Sequence, residues 1–269
     1  FGLPASLAFR VYSALANAVG KPRLVMMLQV AALLAKVALN LWFIFGGLGL
    51  PPLGGPGCAL ASTLINFALA GIALTLLARL ELFAPFGIFA RFCWPSVQRL
   101  AALLKLGLPM GLSYLIEVTS YTFMALFIAR FGTTTLAGHQ ITGNFGAVLY
   151  MTPMSIGIAT STLVAHALGG GHPDAARALA RHGIGLACAI GCAYAAISWL
   201  LRPLILAGYT PDAAVIAAAM PLLPIMLVYH IFDTFQTATA FVLRAYKVAV
   251  VPTVIYAAAL WGVGLGGGY

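Results

Sequence analysis

Two acidic residues fall deep inside apolar segments of this 269-residue chain, where a carboxylate is costly. Of the five acidic residues, Glu117 and Asp233 are the two that lie within such segments and not in connections. Glu117 follows Lys105 by 12 residues, and Asp233 precedes Arg244 by 11. At about 1.5 Å per helical residue, we expect both acids about 16–18 Å from a basic boundary. That depth is near the midplane of a hydrocarbon core about 30 Å thick.

A carboxylate at the midplane costs about 2.5–3.5 kcal/mol even on the most lenient insertion scale, so it must face protein or a wet cavity. Such a group can take up a proton, and oxygen ligands also suit hard cations. Polar side chains lie three or four residues away on the same helix faces: Ser113, Tyr114, Ser120 and Tyr121 beside Glu117, and Tyr229, His230, Gln236 and Thr237 beside Asp233. The pattern predicts a site for H⁺ or Na⁺, with both acids as ligands if the ion is Na⁺. The alternative is two carboxyl groups buried for helix packing.

The composition predicts an all-α polytopic membrane protein in the lipid bilayer. Hydrophobic residues make up 62% of the chain and charged residues 7%, whereas a soluble domain carries about 25% charged residues. Apolar segments lie near 3–20, 24–46, 56–78, 105–129, 138–168, 178–201, 213–243 and 248–266. In lipid their backbone groups must bond within the segment, which favours helices. The net charge of +9 is spread thinly, so we expect no nucleic-acid partner.

The basic residues alternate between connections, which predicts an orientation. If each segment crosses once, ten lie on one side and two on the other. The first set is Lys21, Arg23, Arg79, Arg91, Arg99, Lys105, Arg177, Arg181, Arg244 and Lys247, and the second is Arg130 and Arg202. Cytoplasmic loops carry the excess of Lys and Arg, so the first side is predicted to be cytoplasmic.

Two cations, Arg10 and Lys36, also fall near the predicted midplane. Buried cations need partners, and Asn40, one turn after Lys36, can help only in part. We hypothesise that Lys36 pairs with an acid in a helix outside this chain.

Prolines and one long connection organise the rest of the sequence. Pro153, Pro221 and Pro224 interrupt apolar segments and are candidate hinges or ordinary packing bends. The connection from about Glu81 to Gln98 is expected to lie along the cytoplasmic interface. The first two segments also faintly resemble the last two, which suggests an internal repeat of the kind found in transporters.

No enzyme signature is present: the sequence has no phosphate-binding Gly-rich loop, no His-Glu-x-x-His and no Gly-x-Ser-x-Gly. We therefore predict that the protein is not an enzyme and needs no cofactor other than a coupling ion. The start at Phe1 and the final glycine run lead us to expect a fragment.

Several motifs resemble one transporter family over nearly the whole chain. They are Leu106-Gly-Leu-Pro-Met-Gly111 with Glu117, Ala137-Gly-His-Gln-Ile141, Pro153-Met-Ser, Gly169-Gly-Gly with Ala176-Arg177, and Tyr229-His-Ile-Phe-Asp233 with Leu243-Arg-Ala-Tyr-Lys247. Leu3-Pro4, Gly20-Lys21-Pro22, Leu39-Asn40 and Gly54-Gly-Pro-Gly57 precede them. In order and spacing the set is similar to helices four to eleven of the multidrug and toxic compound extrusion (MATE) family, bacterial type.

The resemblance implies about eight transmembrane helices of a twelve-helix, two-lobed transporter in the bacterial inner membrane. Residues 1–80 would form the C-terminal half of the first lobe, 81–104 the cytoplasmic connection, and 105–269 most of the second lobe. It implies a monomeric antiporter that exports drugs or organic cations in exchange for Na⁺ or H⁺. Glu117, Asp233 and Tyr229 match the cation site of the second lobe. Candidates to line the central cleft are Asn40, Lys36, Arg10, Tyr114, Tyr121, Gln236 and Asn144.

Two other functions remain open at this stage. A flippase of related fold for lipid-linked sugars would need basic cleft residues for a pyrophosphate, which Arg10 and Lys36 could supply. A receptor or structural membrane protein would leave Glu117 and Asp233 at matched depth without a role. Lys36 stands where the family commonly has a neutral polar residue, so the ion chemistry of the first lobe is not carried over.

Overall fold

A computed structural model describes residues 2–47, 51–88, 94 and 96–268, and these residues form helices and connections with no β-strand. The predicted all-α membrane fold is thereby confirmed. Arg91, which entered the orientation prediction, lies outside the described residues. Contacts divide the chain into two compact units, Phe1–Trp94 and Pro95–Tyr269. Their boundary falls within the predicted connection 81–104.

The first unit contains three helices and a short 3₁₀ segment. They are α1 (Leu3–Ala18), α2 (Pro22–Phe45), α3 (Gly55–Arg79) and the 3₁₀ segment Glu81–Phe86. Each α-helix has a proline in its first two positions, where the missing N–H group would have had no helical acceptor. Tyr12 of α1 is fully buried, and the Phe83 ring packs edge-on against it with centroids 6.1 Å apart.

The second unit is built around its longest helices. In chain order it contains α4 (Val97–Ile128), a 3₁₀ turn (Ala129–Phe131), α5 (Thr133–Gly169), α6 (Pro173–Tyr209), α7 (Ala213–Ala219), α8 (Leu222–Ala245), α9 (Val250–Ala257), a π-helical continuation (Ala258–Leu265) and α10 (Gly266–Gly268). α5 packs against α6, α7 and α8, and α6 also packs against α8. α9 and the π segment pack against α4.

The lengths of these helices refine the predicted count of eight spans. Among the described residues, five helices are long and apolar enough to cross a membrane, and six if α7 and α8 form one span. The five are α2, α3, α4, α5 and α6. α1 has 16 residues, which is about 24 Å at 1.5 Å per residue and short of a hydrocarbon core of about 30 Å. Val250–Leu265 is a shorter apolar helix as well.

The start of α4 differs from its prediction. The apolar segment was expected to begin near residue 105, whereas the helix begins at Val97. Ser96 caps it by accepting a hydrogen bond from the Arg99 backbone N–H at 3.3 Å, which satisfies one of the free donors of the first turn. The first two turns, which include the polar residues Gln98 and Arg99, therefore belong to the helix.

The three candidate hinges behave differently. α7 and α8 are bent by 41° relative to each other, and Pro221 occupies the N-cap of α8 at the break. Pro224 lies in the first turn of α8, where proline is tolerated. Pro153 is buried inside α5, which continues unbroken past it. Of the three, only Pro221 lies at a break in the helical backbone.

The connections after α1 and after α8 have the same backbone conformation. Gly20 has φ 76° and Lys247 has φ 61°. Each donates to the carbonyl three residues before it, at 3.0 and 2.9 Å, and in both turns the next residue donates to the carbonyl five residues before it, at 2.9 Å. This hydrogen-bond pair defines a Schellman motif. The two connections whose similarity the sequence suggested thus form the same turn.

Candidate ion site

Asp233 lies on α8 and is 9% exposed. One turn earlier, the Tyr229 hydroxyl donates to Asp233 Oδ1 at 3.4 Å. This spacing follows from the α-helix, because residues four apart lie on one face. The predicted pair of Asp233 and Tyr229 is therefore in direct contact.

Glu117 lies on α4 and is half-buried. Its carboxylate accepts a side-chain hydrogen bond from Tyr256 of α9, and it is close enough to Asp233 for an electrostatic interaction. Tyr150 of α5 interacts electrostatically with both acids and is hydrogen-bonded to Thr237 of α8. Side chains from α4, α5, α8 and α9 thus converge on the two carboxyl groups.

A hydroxyl network fixes α9 against α4 beside this site. The Thr253 hydroxyl lies 2.9 Å from the Pro109 carbonyl oxygen and 2.8 Å from the Ser113 hydroxyl. Thr253 is 5% exposed, so the network is shielded from the surroundings. Further along, Trp261 Nε1 donates to the Thr119 hydroxyl at 3.2 Å. These contacts set the position of Tyr256 relative to Glu117.

A cavity of about 30 Å³ lies next to Glu117. Its lining includes Ser113, Tyr114, Glu117, Tyr150, Gln236, Thr237, Arg244, Thr253 and Tyr256 together with apolar side chains from α4, α8 and α9. Asp233 and Tyr229 do not line it. Glu117 is therefore the acid that faces the cavity, with Asp233 more deeply buried beside it.

The predicted cleft-lining residues of the second unit separate into two groups. Tyr114 and Gln236 line the cavity with Glu117. Tyr121 instead stacks on His139, with ring centroids 5.3 Å apart, and Asn144 accepts a hydrogen bond from Tyr209 at 3.0 Å. The structure thus brings only the first two to the carboxyl groups.

In the first unit, Arg10 is exposed on α1, while Lys36 and Asn40 are half-buried on α2. Within the part of the chain that the structure describes, the one ion pair joins Asp174 to Arg177 at 3.0 Å. The Asn40 Oδ1 atom is buried and has no hydrogen-bond partner there. The proposed pairing of Lys36 with an acid outside this chain stays a prediction.

Sequence reasoning missed Tyr150 and Tyr256. Tyr256 follows Lys247 by nine residues, which places it about 14 Å from the basic boundary in a helix. Its hydroxyl lies in an apolar stretch at nearly the depth of Glu117, and that depth was the available signal. Tyr150 gives no comparable signal, because its connection to the acids depends on how α5 packs.

The atoms that could bind an ion at the two acids are oxygen atoms. Among the residues that the structure describes, no group of three or more His, Cys, Asp and Glu side chains could hold a metal ion. The available ligands are the two carboxylates and the hydroxyls of Tyr256, Tyr229 and Tyr150. Such a set suits a proton or a hard monovalent cation better than a transition metal.

The helices and the buried acids define a polytopic membrane protein with a polar site inside its second unit. A model of the MatE family matches residues 109–269, and the chain therefore belongs to this family. The crystal structure of MATE in complex with MaL6 has a similar fold, with a TM-score of 0.81 over 96% of this chain and 57% of that one, at 17% sequence identity.

Curated relatives match over the whole chain. The probable multidrug resistance protein NorM of Aromatoleum aromaticum is 40% identical over 100% of this chain and 58% of its own length. The multidrug resistance protein PmpM of Pseudomonas aeruginosa is 35% identical over 100% of this chain and 56% of its own length. The chain thus spans a little over half the length of these relatives. The family consists of transporters, which confirms the prediction that the chain is not an enzyme.

Proposed function

We propose that this chain forms part of a secondary antiporter that exports drugs or organic cations in exchange for Na⁺ or H⁺. The transporter works as a monomer in the inner membrane of a bacterium. Glu117 and Asp233 bind the coupling ion, and Tyr229 positions the Asp233 carboxylate. The names of the relatives in Aromatoleum aromaticum and Pseudomonas aeruginosa support drugs as the substrate class.

One observation carries this proposal. Glu117 and Asp233 lie on different helices of an apolar bundle, yet their carboxyl groups are close enough to interact. Two uncompensated carboxylates in an environment of low dielectric constant repel each other, and each also loses its hydration. A packing role alone would not require two acids at this cost. Binding a cation or a proton between them removes the repulsion.

This electrostatic change can bias the packing of the helices that carry the acids. When the ion is bound, α4 and α8 can approach closely, and when it leaves, the two negative charges favour separation. An ion shifts such an equilibrium only by the difference in its affinity for the two states, about 1.4 kcal/mol for each tenfold. By linkage, the coupling ion and the drug must weaken each other's binding.

The proposal is tested by drug efflux in everted vesicles that contain a full-length transporter carrying this sequence. Na⁺ and proton gradients are imposed separately, and Asp233→Asn is compared with the unmodified protein. We expect one gradient to drive efflux and the substitution to abolish it, because an amide cannot take up a proton and binds a cation without charge neutralisation. The effective gradient identifies the ion.

Asp174→Asn is the matched control. It removes the same charge from an exposed residue in the first turn of α6, and efflux should be unchanged. If the unmodified protein moves no cationic drug under either gradient, the antiport proposal fails. Transport by Asp233→Asn at the normal rate would show that Asp233 does not bind the coupling ion.

A further inference from the structure

The cavity beside Glu117 extends towards the predicted cytoplasmic end of the second unit. On α8 its lining runs from Gln236 to Arg244, and around the start of α9 from Val248 to Tyr256. The ends of each stretch are eight residue positions apart, or about 12 Å along a helix. Glu117 and Tyr256 lie at the inner end, and Arg244 and Val248 at the outer end. The cavity therefore covers most of the distance between the acid and the basic boundary.

Polar groups line the inner part of this path. Gln236 and Thr237 lie at the inner end with Glu117, and Ser113 and Thr253 lie about one turn nearer Arg244. A second cavity nearby, on another face of α4 and α9, is lined almost entirely by apolar residues such as Leu108, Leu112 and Val254. Lipid chains suit the second cavity, whereas the first offers partners to water and ions.

Arg244 stands at the outer end without an acidic partner in the described part of the chain. Its guanidinium group lies 4.4 Å from the Phe241 ring centroid and 5.9 Å from that of Tyr114. Aromatic faces hold a cation in place without neutralising it. The positive charge of Arg244 is therefore fixed at the cavity mouth and acts on any ion that passes.

We propose that this cavity is the cytoplasmic access route between Glu117 and the cell interior, and that the Arg244 guanidinium at its mouth lowers the concentration of cations within the route. The proposal rests on the proposed function for the identity of the passing ion as a coupling cation. A fixed positive charge lowers the local equilibrium concentration of cations, and it acts equally on ions that arrive from either end of the route. Arg244 thus keeps the occupancy of the route by cations low without binding the ion.

The access route is tested by cysteine labelling, which requires no transport. In a full-length transporter carrying this sequence, Cys58, Cys93, Cys188 and Cys192 are replaced by alanine, and single cysteines are introduced. Ala240→Cys and Met110→Cys lie on two walls of the cavity. Thr239→Cys is the matched control, because it lies at the depth of Ala240 and outside the cavity lining. Everted vesicles expose the cytoplasmic face to membrane-impermeant thiosulfonate reagents.

We expect Ala240→Cys and Met110→Cys to react from the cytoplasmic face and Thr239→Cys to remain unreacted. The role of Arg244 is then measured as the ratio of labelling rates for a cationic and an anionic reagent at Ala240→Cys. Arg244→Gln should raise this ratio by roughly 30-fold, since one unit charge several ångströms away is worth about 1 kcal/mol in a wet cavity and acts with opposite sign on the two reagents. Lys247→Gln removes a charge from the same turn outside the lining and should change the ratio less than about twofold, because exposed charges are screened.

The access route is refuted if the two cavity positions remain unreacted, react only from the outer face, or react at the same rate as Thr239→Cys. The role of Arg244 is refuted if Arg244→Gln leaves the ratio unchanged or if Lys247→Gln raises it equally. Cavity labelling without ion-driven efflux would instead overturn the proposed function and leave the access route intact. The two failures are thus distinguishable.

Discussion

Tyrosine hydroxyls are the side chains through which neighbouring helices reach the two acids. Tyr229 contacts Asp233 from within α8, whereas Tyr256 reaches Glu117 from α9. The first contact is local and follows from a four-residue spacing. The second joins parts of the chain more than 130 residues apart, so no spacing rule applies to it. This difference explains why the sequence predicted Tyr229 and missed Tyr256.

The Tyr256 hydroxyl is expected to tune ion affinity without being essential. Removing it by Tyr256→Phe deletes one hydrogen bond to a carboxylate, worth about 1.5–3 kcal/mol. This hydrogen bond favours the ionised carboxylate over the protonated one, so for a coupling proton the concentration needed for half-maximal efflux should fall by roughly tenfold or more, with little change in the maximal rate. Glu117→Gln should abolish efflux. Ion titrations in everted vesicles measure both effects.

Tyr246→Phe is the control for this comparison, because Tyr246 is exposed at the end of α8 and should leave the titration curve unchanged. If Tyr256→Phe matched the unmodified protein at every ion concentration, its hydrogen bond to Glu117 would have no part in ion binding.

At the scale of elements, apolar length and local signals predicted most helices but not how they end. Gly20 marks the end of α1, as a glycine at this position of a Schellman motif should. The equivalent turn after α8 has Lys247, a residue that gives no such signal. Pro221 breaks the helix and Pro153 does not, although each interrupts an apolar segment. The outcome depends on tertiary packing, because Pro153 is buried among the neighbours of α5.

Lys247→Gly is predicted to stabilise the second unit. Lys247 has φ 61°, in the left-handed region where a residue with a Cβ atom is strained by about 1 kcal/mol. Glycine adopts this conformation freely, as Gly20 does in the matching turn. After allowing for the greater freedom of glycine in the unfolded chain, we expect a gain of about 0.5 kcal/mol. Thermal unfolding in detergent measures it, with Lys247→Ala as the control that keeps the strain.

Close packing between α6 and α8 leads to a second prediction at this scale. A Cβ atom at Gly191 would lie 2.8 Å from the Thr234 hydroxyl oxygen and 2.9 Å from its Cγ2. Thr234 is fully buried and β-branched, so it cannot rotate away easily. Gly191→Ala should therefore destabilise the protein by about 1–3 kcal/mol, seen as a lower midpoint of thermal aggregation in detergent.

Gly185→Ala provides the comparison on the same helix. Nothing lies within 4 Å of a Cβ atom built there, and alanine favours a helix over glycine by about 1 kcal/mol. This variant should be as stable as the unmodified protein or more stable. Equal midpoints for the two variants would mean that α6 and α8 are not packed as closely as the structure indicates.

For the whole molecule, the charge pattern and the apolar lengths together predicted the helical membrane fold and the depth of both acids. They did so because hydrophobic burial and carboxylate desolvation are properties of single residues and their distance from a boundary. Which side chains contact each other is not a property of single residues, because it depends on how the helices pack. Tyr121 and Asn144 were predicted together with Tyr114 to line the cleft, yet they pack against His139 and Tyr209 and do not line the cavity.

The predicted orientation can be tested across α6 alone. Its 37 residues extend about 55 Å at 1.5 Å per residue, well beyond a hydrocarbon core of about 30 Å. The two ends must therefore lie on opposite sides of the membrane. Arg177 and Arg181 follow the turn at Gly171, whereas Arg202 is near the turn at Pro211. The positive-inside rule then places Gly171 in the cytoplasm and Pro211 outside.

In the background without native cysteines, Gly171→Cys should react with an impermeant reagent only in everted vesicles, and Pro211→Cys only in intact cells. Gly171 has φ 77°, so Gly170→Cys, with an unstrained backbone, serves as a second probe of the same turn. The reverse labelling pattern at both turns would mean that the predicted orientation in the membrane is wrong. Arg244 and its cavity would then open to the outside, which would refute the cytoplasmic access route. Sidedness at these two turns therefore tests the access route together with the orientation.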